Sequence, residues 1–427
     1  MKFTLWFIFV LMFVQLTVVF GQEEENLPIT EVEQEKKLEW NGNLDVKYLL
    51  FNMDQNSAQY KLQFFKNLPL SSLLSQYKLE PYLNAEYRTS DLGFVLKTHA
   101  SYYSDANSSF DLFESYASFN PSFNINLQAG KRVYNWGKGY AFNPVGFVNP
   151  VKDPENPELA QAGLLSANIE YVKSFSSDAF QSLSLLAVLI PTSNVNGTSF
   201  GEFNNTDVAL KSSFLLWDTD IDLLAYYSEM KPKRYGFDFA RNIQENIEAH
   251  AEFSYNQNVE RFTILNNSLR SEFVDMYSYL FGLRYLDASN TTIIAEYYHN
   301  GSGLSKDEYA SYNEFINNGA NSLTETIKQQ TLGVSQTYFK GQTLMRDYLY
   351  IKLSHPEPFD LLYFTPSIYT IYNLTDHSFL LSFQMSYKPI TNTEFIFWAS
   401  MFSGDKSTEY GGKQVMQRME LWMRVFF

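Results

Sequence analysis

The sequence predicts an all-β protein, a transmembrane antiparallel β-barrel of about 18 strands that follows a cleaved signal peptide, and three observations carry that prediction. The chain opens with a secretory pattern. Through most of its length, segments of about ten residues alternate apolar and polar side chains and are separated by turn residues. The last of these segments runs to Phe427.

The opening pattern has three parts: Lys2, an apolar run from Phe3 to Phe20, and the small residue Gly21. A positive start, a greasy core and a small cleavage site are what export requires, so residues 1–21 are expected to be removed. Residues 22–37 are acidic and without periodicity and read as a short periplasmic leader, with the barrel expected over 38–427. Past residue 22 no run approaches the roughly 20 apolar residues of a spanning helix. A helical membrane architecture is therefore excluded for the mature chain.

Aromatic residues make up 17% of the chain while mean hydropathy is only -0.26, a combination suited to a sheet greasy on one face and wet on the other. With no cysteine, neither disulfides nor thiolate metal sites are available, and no cofactor is expected. A net charge of -15 argues against nucleic acid as a partner, since phosphate binding needs clustered cations.

Alternation is clearest where Phe379, Leu381, Phe383, Met385 and Tyr387 oppose Ser378, Ser382, Gln384, Ser386 and Lys388. Likewise Ile247, Ala249, Ala251, Phe253 and Tyr255 oppose Glu248, His250, Glu252, Ser254 and Asn256. Charges at every second position would be prohibitive in a packed sandwich core and suit a wet lumen. Short connections, such as Arg88–Gly93, Asp218–Asp220 and Lys388–Thr393, are expected to alternate strictly with long ones, notably Trp136–Gly163, Thr192–Asn205, Asn256–Val274 and Gly301–Leu344. Short turns would then be periplasmic and long loops extracellular. The count is 18 if Gln59–Leu68 belongs to an outer connection, with 16 as the alternative. Within Gly301–Leu344, Lys306–Phe315 is expected to form a short helix in a loop that caps the mouth, serves recognition or is simple surface.

One stretch resembles a known family. Glu114-Ser115-Tyr116, a tight turn, then Gly130-Lys131-Arg132 and Asn135-Trp136-Gly137 before a long loop are similar to a strand pair in porin-like bacterial outer-membrane barrels. That resemblance implies an inward-folded loop that narrows the pore, with Lys131, Arg132, Trp136, Lys138 and Tyr140 near the constriction. The repeated Asn143-Pro144, Asn149-Pro150, Asp153-Pro154 and Asn156-Pro157 pairs favour a loop with one shape, whether inside the pore or packed over the rim.

Period 2 assigns Glu248, Glu252, Arg284, Glu296, Lys352, Arg418, Glu420 and Arg424 to the lumen, where they set a transverse field or simply bridge strands. Leu280, Leu380 and Trp422 on the same face hint that part of the lumen is filled. The five histidines sit on separate segments, with neither a Gly-x-Ser-x-Gly elbow nor zinc-ligand spacing, so no enzyme is expected. The acidic trio Asp153, Glu155 and Glu158 lacks the fixed ligand positions of a calcium loop. In the final segment Met419, Leu421, Met423, Val425 and Phe427 point to lipid. Met423, Val425 and Phe427 resemble the signal read by the outer-membrane assembly machinery.

The expected function is passive diffusion of small hydrophilic solutes through a loop-constricted lumen in the bacterial outer membrane, by a monomer. Two other readings stand beside it: a sealed structural or adhesive barrel with partner-binding loops, and a specific exporter or importer of a polymeric or hydrophobic substrate.

Overall fold

Each strand pairs antiparallel with its neighbours in sequence, and the last pairs with the first, closing an 18-stranded barrel. The computed structural model describes residues 38–67, 71–105, 107–191, 206–341 and 343–427, so the signal peptide, the leader and the 192–205 connection lie outside the described residues. The first nine strands are β1 (Leu38–Met53), β2 (Leu73–Arg88), β3 (Leu92–Tyr103), β4 (Ser108–Ser122), β5 (Ile125–Arg132), β6 (Leu164–Ser174), β7 (Phe180–Pro191), β8 (Thr206–Leu216) and β9 (Thr219–Tyr227). The rest are β10 (Lys233–Gln244), β11 (Ile247–Leu265), β12 (Ser268–Leu286), β13 (Thr292–His299), β14 (Asp347–Ser354), β15 (Phe364–Asn373), β16 (Phe379–Ile390), β17 (Thr393–Ser403) and β18 (Val415–Phe426).

Alternation puts exposed Val46, Leu96, Leu189, Leu223, Phe281, Phe383 and Leu421 outside, where hydrocarbon replaces water, and their polar neighbours inside. Closure leaves no strand edge unpaired in that medium. The seam is clasped by the terminal residue: Phe427 N–H donates to Gly42 O and Gly42 N–H to Phe427 O, both at 3.0 Å. The Phe427 ring lies over Gly42, where a Cβ would sit 2.6 Å from it, so only glycine fits beneath the ring.

The segment from Gln59 to Asn67 is an outer connection carrying helix α1 (Ala58–Gln63), consistent with the even count. Two expectations about connections need correction. Strict alternation of short and long fails, because the outer links at 104–107, 228–232, 266–267 and 374–378 are as short as the periplasmic turns. Asn256–Val274 is no loop but the continuation of β11 and β12, each 19 residues long, past a bulge between Asn256 and Val259. Asn266 and Asn267, with φ of 50° and 60°, form the two-residue left-handed turn that lets a hairpin close at any length.

The long outer loop carries α2 (Lys306–Ala320), longer than the expected Lys306–Phe315, and α3 (Glu325–Tyr338). Ser305 and Glu308 make a reciprocal capping box at the start of α2. Tyr309, Tyr312, Ile316 and Ala320 then pack with Leu62, Ile264 and Phe339 over the mouth. Arg261 on the extended β11 clamps Glu308 through bonds of 2.5 and 2.8 Å. Burial alone would raise the Glu308 carboxyl, but Arg261 and Ser305 outweigh it and hold its pKa at about 2. Glu409, fully buried and raised by that burial, ties the loop between β17 and β18 to this cap by accepting Leu344 N–H, Tyr348 O–H and Asn373 Nδ2, each at 2.6 Å.

Candidate functional site: a loop fastened across the lumen

Residues 133–163, between β5 and β6, leave the wall and cross the barrel interior. Their path starts at Trp136, whose peptide is gripped by side chains of two Asn-Pro pairs. Asn149 accepts Trp136 N–H at 2.9 Å and donates to its carbonyl at 2.8 Å, and Asn143 donates to the same carbonyl at 2.5 Å. The asparagines close the turn while each following proline restricts the backbone.

From that turn, successive backbone N–H groups aim at two wall carboxylates. Glu252 on β11 accepts Lys138 N–H and Gly139 N–H at 2.6 Å and Val145 N–H at 3.2 Å. Glu296 on β13 accepts Tyr140 N–H and, at 2.8 Å, Ala141 N–H. A run of amides wrapped around an anion is a nest, and it demands backbone approach too close for a side chain. Gly137 shows why: its φ is +94°, and a Cβ there would lie 2.7 Å from Glu252 Oε1. On the other side of the same peptides, Lys152 Nζ donates to the carbonyls of Gly139, at 2.5 Å, and Tyr140, at 3.2 Å. Burial lowers the Lys152 pKa against the pull of Glu252 and Glu296.

Other loop side chains fix the remaining span. Lys138 reaches Asp222 on β9 at 3.2 Å. Tyr140 O–H donates to Glu158 at 2.6 Å and accepts from Lys352 on β14. Phe142 stacks on Tyr298 at 4.5 Å. Tyr369 on β15 donates to Glu155 O at 2.7 Å, and Arg418 on β18 pairs with the Glu155 carboxylate at 3.1 Å. The loop rejoins the wall where Gly163 N–H donates to Phe113 O at 2.9 Å.

Of the expected constriction residues, Lys138, Tyr140 and Arg132 are on the lumen side but apart, Lys138 at Asp222, Tyr140 at Glu158 and Lys352, and Arg132 over the Tyr116 and Tyr134 rings. Lys131 is not: it pairs with Ser115 and Leu165 on the outward face, because adjacent residues of one strand cannot share a face. Trp136 is 2% exposed and packs with Tyr134, Val145, Phe147, Val188 and Leu224, so it seats the loop against the wall and meets no water path.

The expected lumen charges face inward but divide sharply. Glu252 and Glu296 are buried beneath the loop and present no charge to water. His250, expected in a wet carboxylate row, is buried and bonded to Glu296 at 3.0 Å. Arg284 and its cross-strand neighbour Glu248 keep exposure below the loop. Lys352 lies at the loop edge, 3.4 Å from Glu158. Arg418 and Arg424 add no free positive charge, since Arg418 pairs with Glu155 and Glu420 and Arg424 grips Asp45 with two bonds of 2.8 Å. Glu155 and Glu158 likewise hold the chain's own cations, Arg418 and Lys352. Leu280, Leu380 and Trp422 join a large apolar cluster with Phe142, Tyr350 and Trp398, so part of the lumen is filled.

Apart from Arg424, the wall that faces the free side of the loop went unread in the sequence. There Glu394, Arg424, Asp45, Lys47, Glu80 and Lys78 form a continuous ladder across β17, β18, β1 and β2. Its closest steps are Lys47 to Glu80 at 2.5 Å and Lys78 to Glu80 at 2.7 Å. His99 on β3 continues it, 3.0 Å from Glu80, and Lys97 meets Glu114 at 2.5 Å. Directly opposed partners are alike, Asp45 with Glu80 and Lys47 with Lys78, so attraction runs along diagonals. The signal was present in Asp45-Val46-Lys47 and Lys78-Leu79-Glu80, charge pairs at period 2.

No family model matches the chain, and no curated protein matches it in sequence. Solved structures do match its architecture. OpdQ of Pseudomonas aeruginosa aligns with a TM-score of 0.54 at 9% identity, over 91% of this chain and 97% of that one. OccK2 (OpdF) of the same organism, solved in complex with glucuronate, gives 0.53 at 9% identity over 91% and 98%. OccAB1 of Acinetobacter baumannii gives 0.52 at 11% identity over 93% and 99%. These matches show a shared fold, the closed antiparallel barrel. The shared fold supplies the closed wall, and this chain's own residues supply the fastened loop within it.

Proposed function

We propose that the protein is an outer-membrane channel for passive diffusion of small hydrophilic solutes, and that solute passes between the free edge of loop 133–163 and the charged wall formed by β18 and β1–β4. The observation that carries this is the one-sided seating of the loop. Its inner side is pinned to β9–β15 and, through Arg418, to the outer end of β18, while Val151 is 90% exposed and Leu159 also stands clear. A fixed edge opposite a charged wall sets both a diameter and a charge preference without moving parts.

The filled region around Leu280, Leu380 and Trp422 favours a second reading, a sealed barrel whose outer loops bind partners. Planar-bilayer recording separates the two. Stepwise conductance that rises on deletion of residues 140–157 supports the channel; folded protein that gives no steps under any salt or voltage supports the seal. The Met423, Val425 and Phe427 row is proposed as the strand recognised during assembly, and the barrel is proposed to work as a monomer in lipid.

A further inference from the structure

Asp222 on β9 and Asp238 on β10 stand directly opposite in register, 2% and 0% exposed. Side chains so placed lie about 5 Å apart, and two carboxylates at that separation away from water do not both ionise readily. Their donors are unevenly shared. Asp222 has Lys211 at 2.8 Å and Lys138 at 3.2 Å. Neither oxygen of Asp238 accepts a hydrogen bond among the described residues, and Lys138 stands 3.9 Å away. A buried acceptor with no donor is satisfied by a proton shared with the carboxylate opposite.

We propose that Lys138, Asp222 and Asp238 form a proton-operated latch on the loop: acid that neutralises the carboxylate pair frees Lys138 and loosens residues 138–141. This rests on the reading of that loop as the constriction. At neutral pH the pair carries one negative charge and holds the ammonium. Burial would lower the Lys138 pKa, but Asp222, Asp238 and Asp220 outweigh it and raise it, so on acidification the lysine keeps its proton and the pair gains one. Two half-buried ammonium groups then face an uncharged pair, and Lys138, tethered to a loop, is the one that leaves. The other charged groups nearby are committed: Lys211 on β8 to Asp222, Glu252 on β11 to three loop amides, and His250 to Glu296 and Glu248.

Hydrogen exchange of the full chain in micelles, read on peptides spanning 136–146 and corrected for intrinsic rate, tests this between about pH 8 and about pH 2, since two ammonium groups beside Asp222 oppose the second proton. Protection in the unmodified protein is expected to fall about tenfold across an acid midpoint, the mark of a local opening. The Asp222→Asn/Asp238→Asn double variant should lack the step, as should Lys138→Met, which leaves both carboxylates in place if the double variant fails to fold. His250→Gln should keep it. A step retained in either latch variant, or lost in His250→Gln, overturns the proposal. Because the readout needs no current, a step in a barrel that never conducts upholds the latch and sinks the channel, whereas a flat profile in a conducting barrel does the reverse.

Discussion

The two halves of the inner wall use the same residue types to opposite ends. On β9–β13, Asp238, Glu252 and Glu296 point inward yet lie beneath the loop, where Glu252 and Glu296 anchor backbone amides. On β18 and β1–β3, Asp45 and Glu80 point inward just as they do, but their partners are Arg424, Lys47 and Lys78, and nothing of the loop binds them. A carboxylate that meets N–H groups fixes a chain; Asp45 and Glu80, 0% and 3% exposed, are instead covered by cations of their own wall, of which Lys78 and Arg424 are half-buried. The comparison shows that facing the lumen and facing water are separate properties, the second set by what covers each group, a crossing loop on one half and neighbouring cationic side chains on the other.

The largest effect is expected where the anchoring half is broken. In the Glu252→Gln/Glu296→Gln double variant each amide keeps one acceptor oxygen but sets an NH2 donor against loop N–H groups. An N–H left unpaired in a buried place costs about 1–3 kcal/mol, so the loop should lose on the order of 5 kcal/mol of seating. Single-channel conductance should rise severalfold; an unchanged value would mean the loop is held by its apolar contacts alone.

Breaking the ladder should do something different and smaller. Asp45→Asn leaves Arg424 with only Glu394, at 3.6 Å. Ion selectivity in bilayers should move toward anions, by about twofold as the half-exposed Arg424 loses its closest counter-charge, while exchange protection of 138–145 stays as it was. Altered loop protection would show that the two halves are coupled.

The smallest effect is expected at the outer cap, which belongs to neither half. Glu308 titrates at about 2, below the ordinary carboxylate range, so the support it gives is complete above that range and lost as pH falls through about 2. Glu308→Gln should lower protection of α2 at neutral pH, weakly because the group is largely solvated, and the difference from the unmodified protein should vanish near pH 2. A difference that persists in acid would assign the cap to packing.

Much of this was legible in the sequence because period 2 is a local property. The strand faces and the short periplasmic turns follow from residues within one or two elements, whereas the inward path of the stretch after Gly130 was only what a family resemblance implied. What was not legible is what covers what. Glu252 reads identically to Glu248, and only the path of residues 138–145 distinguishes a buried anchor from a wet charge. Lys131 and Trp136 were misplaced for related reasons, the first because a motif was carried over without its strand face, the second because an aromatic after a Gly-Lys-Arg step reads the same in a pore and against a wall. The β11–β12 extension was read as a loop because its charges interrupt the apolar alternation outside the membrane, where nothing requires it.

The central claim is the position of the conducting gap, and cysteine scanning tests it directly, since the chain has no cysteine of its own. Cysteines placed singly at Val151, Leu159 and the buried Val145 are treated with a charged thiol reagent during bilayer recording. The account predicts that current falls at 151 and 159 and holds at 145. Current untouched at 151 and 159, or blocked at 145, would put the path on the other side of the loop and contradict it.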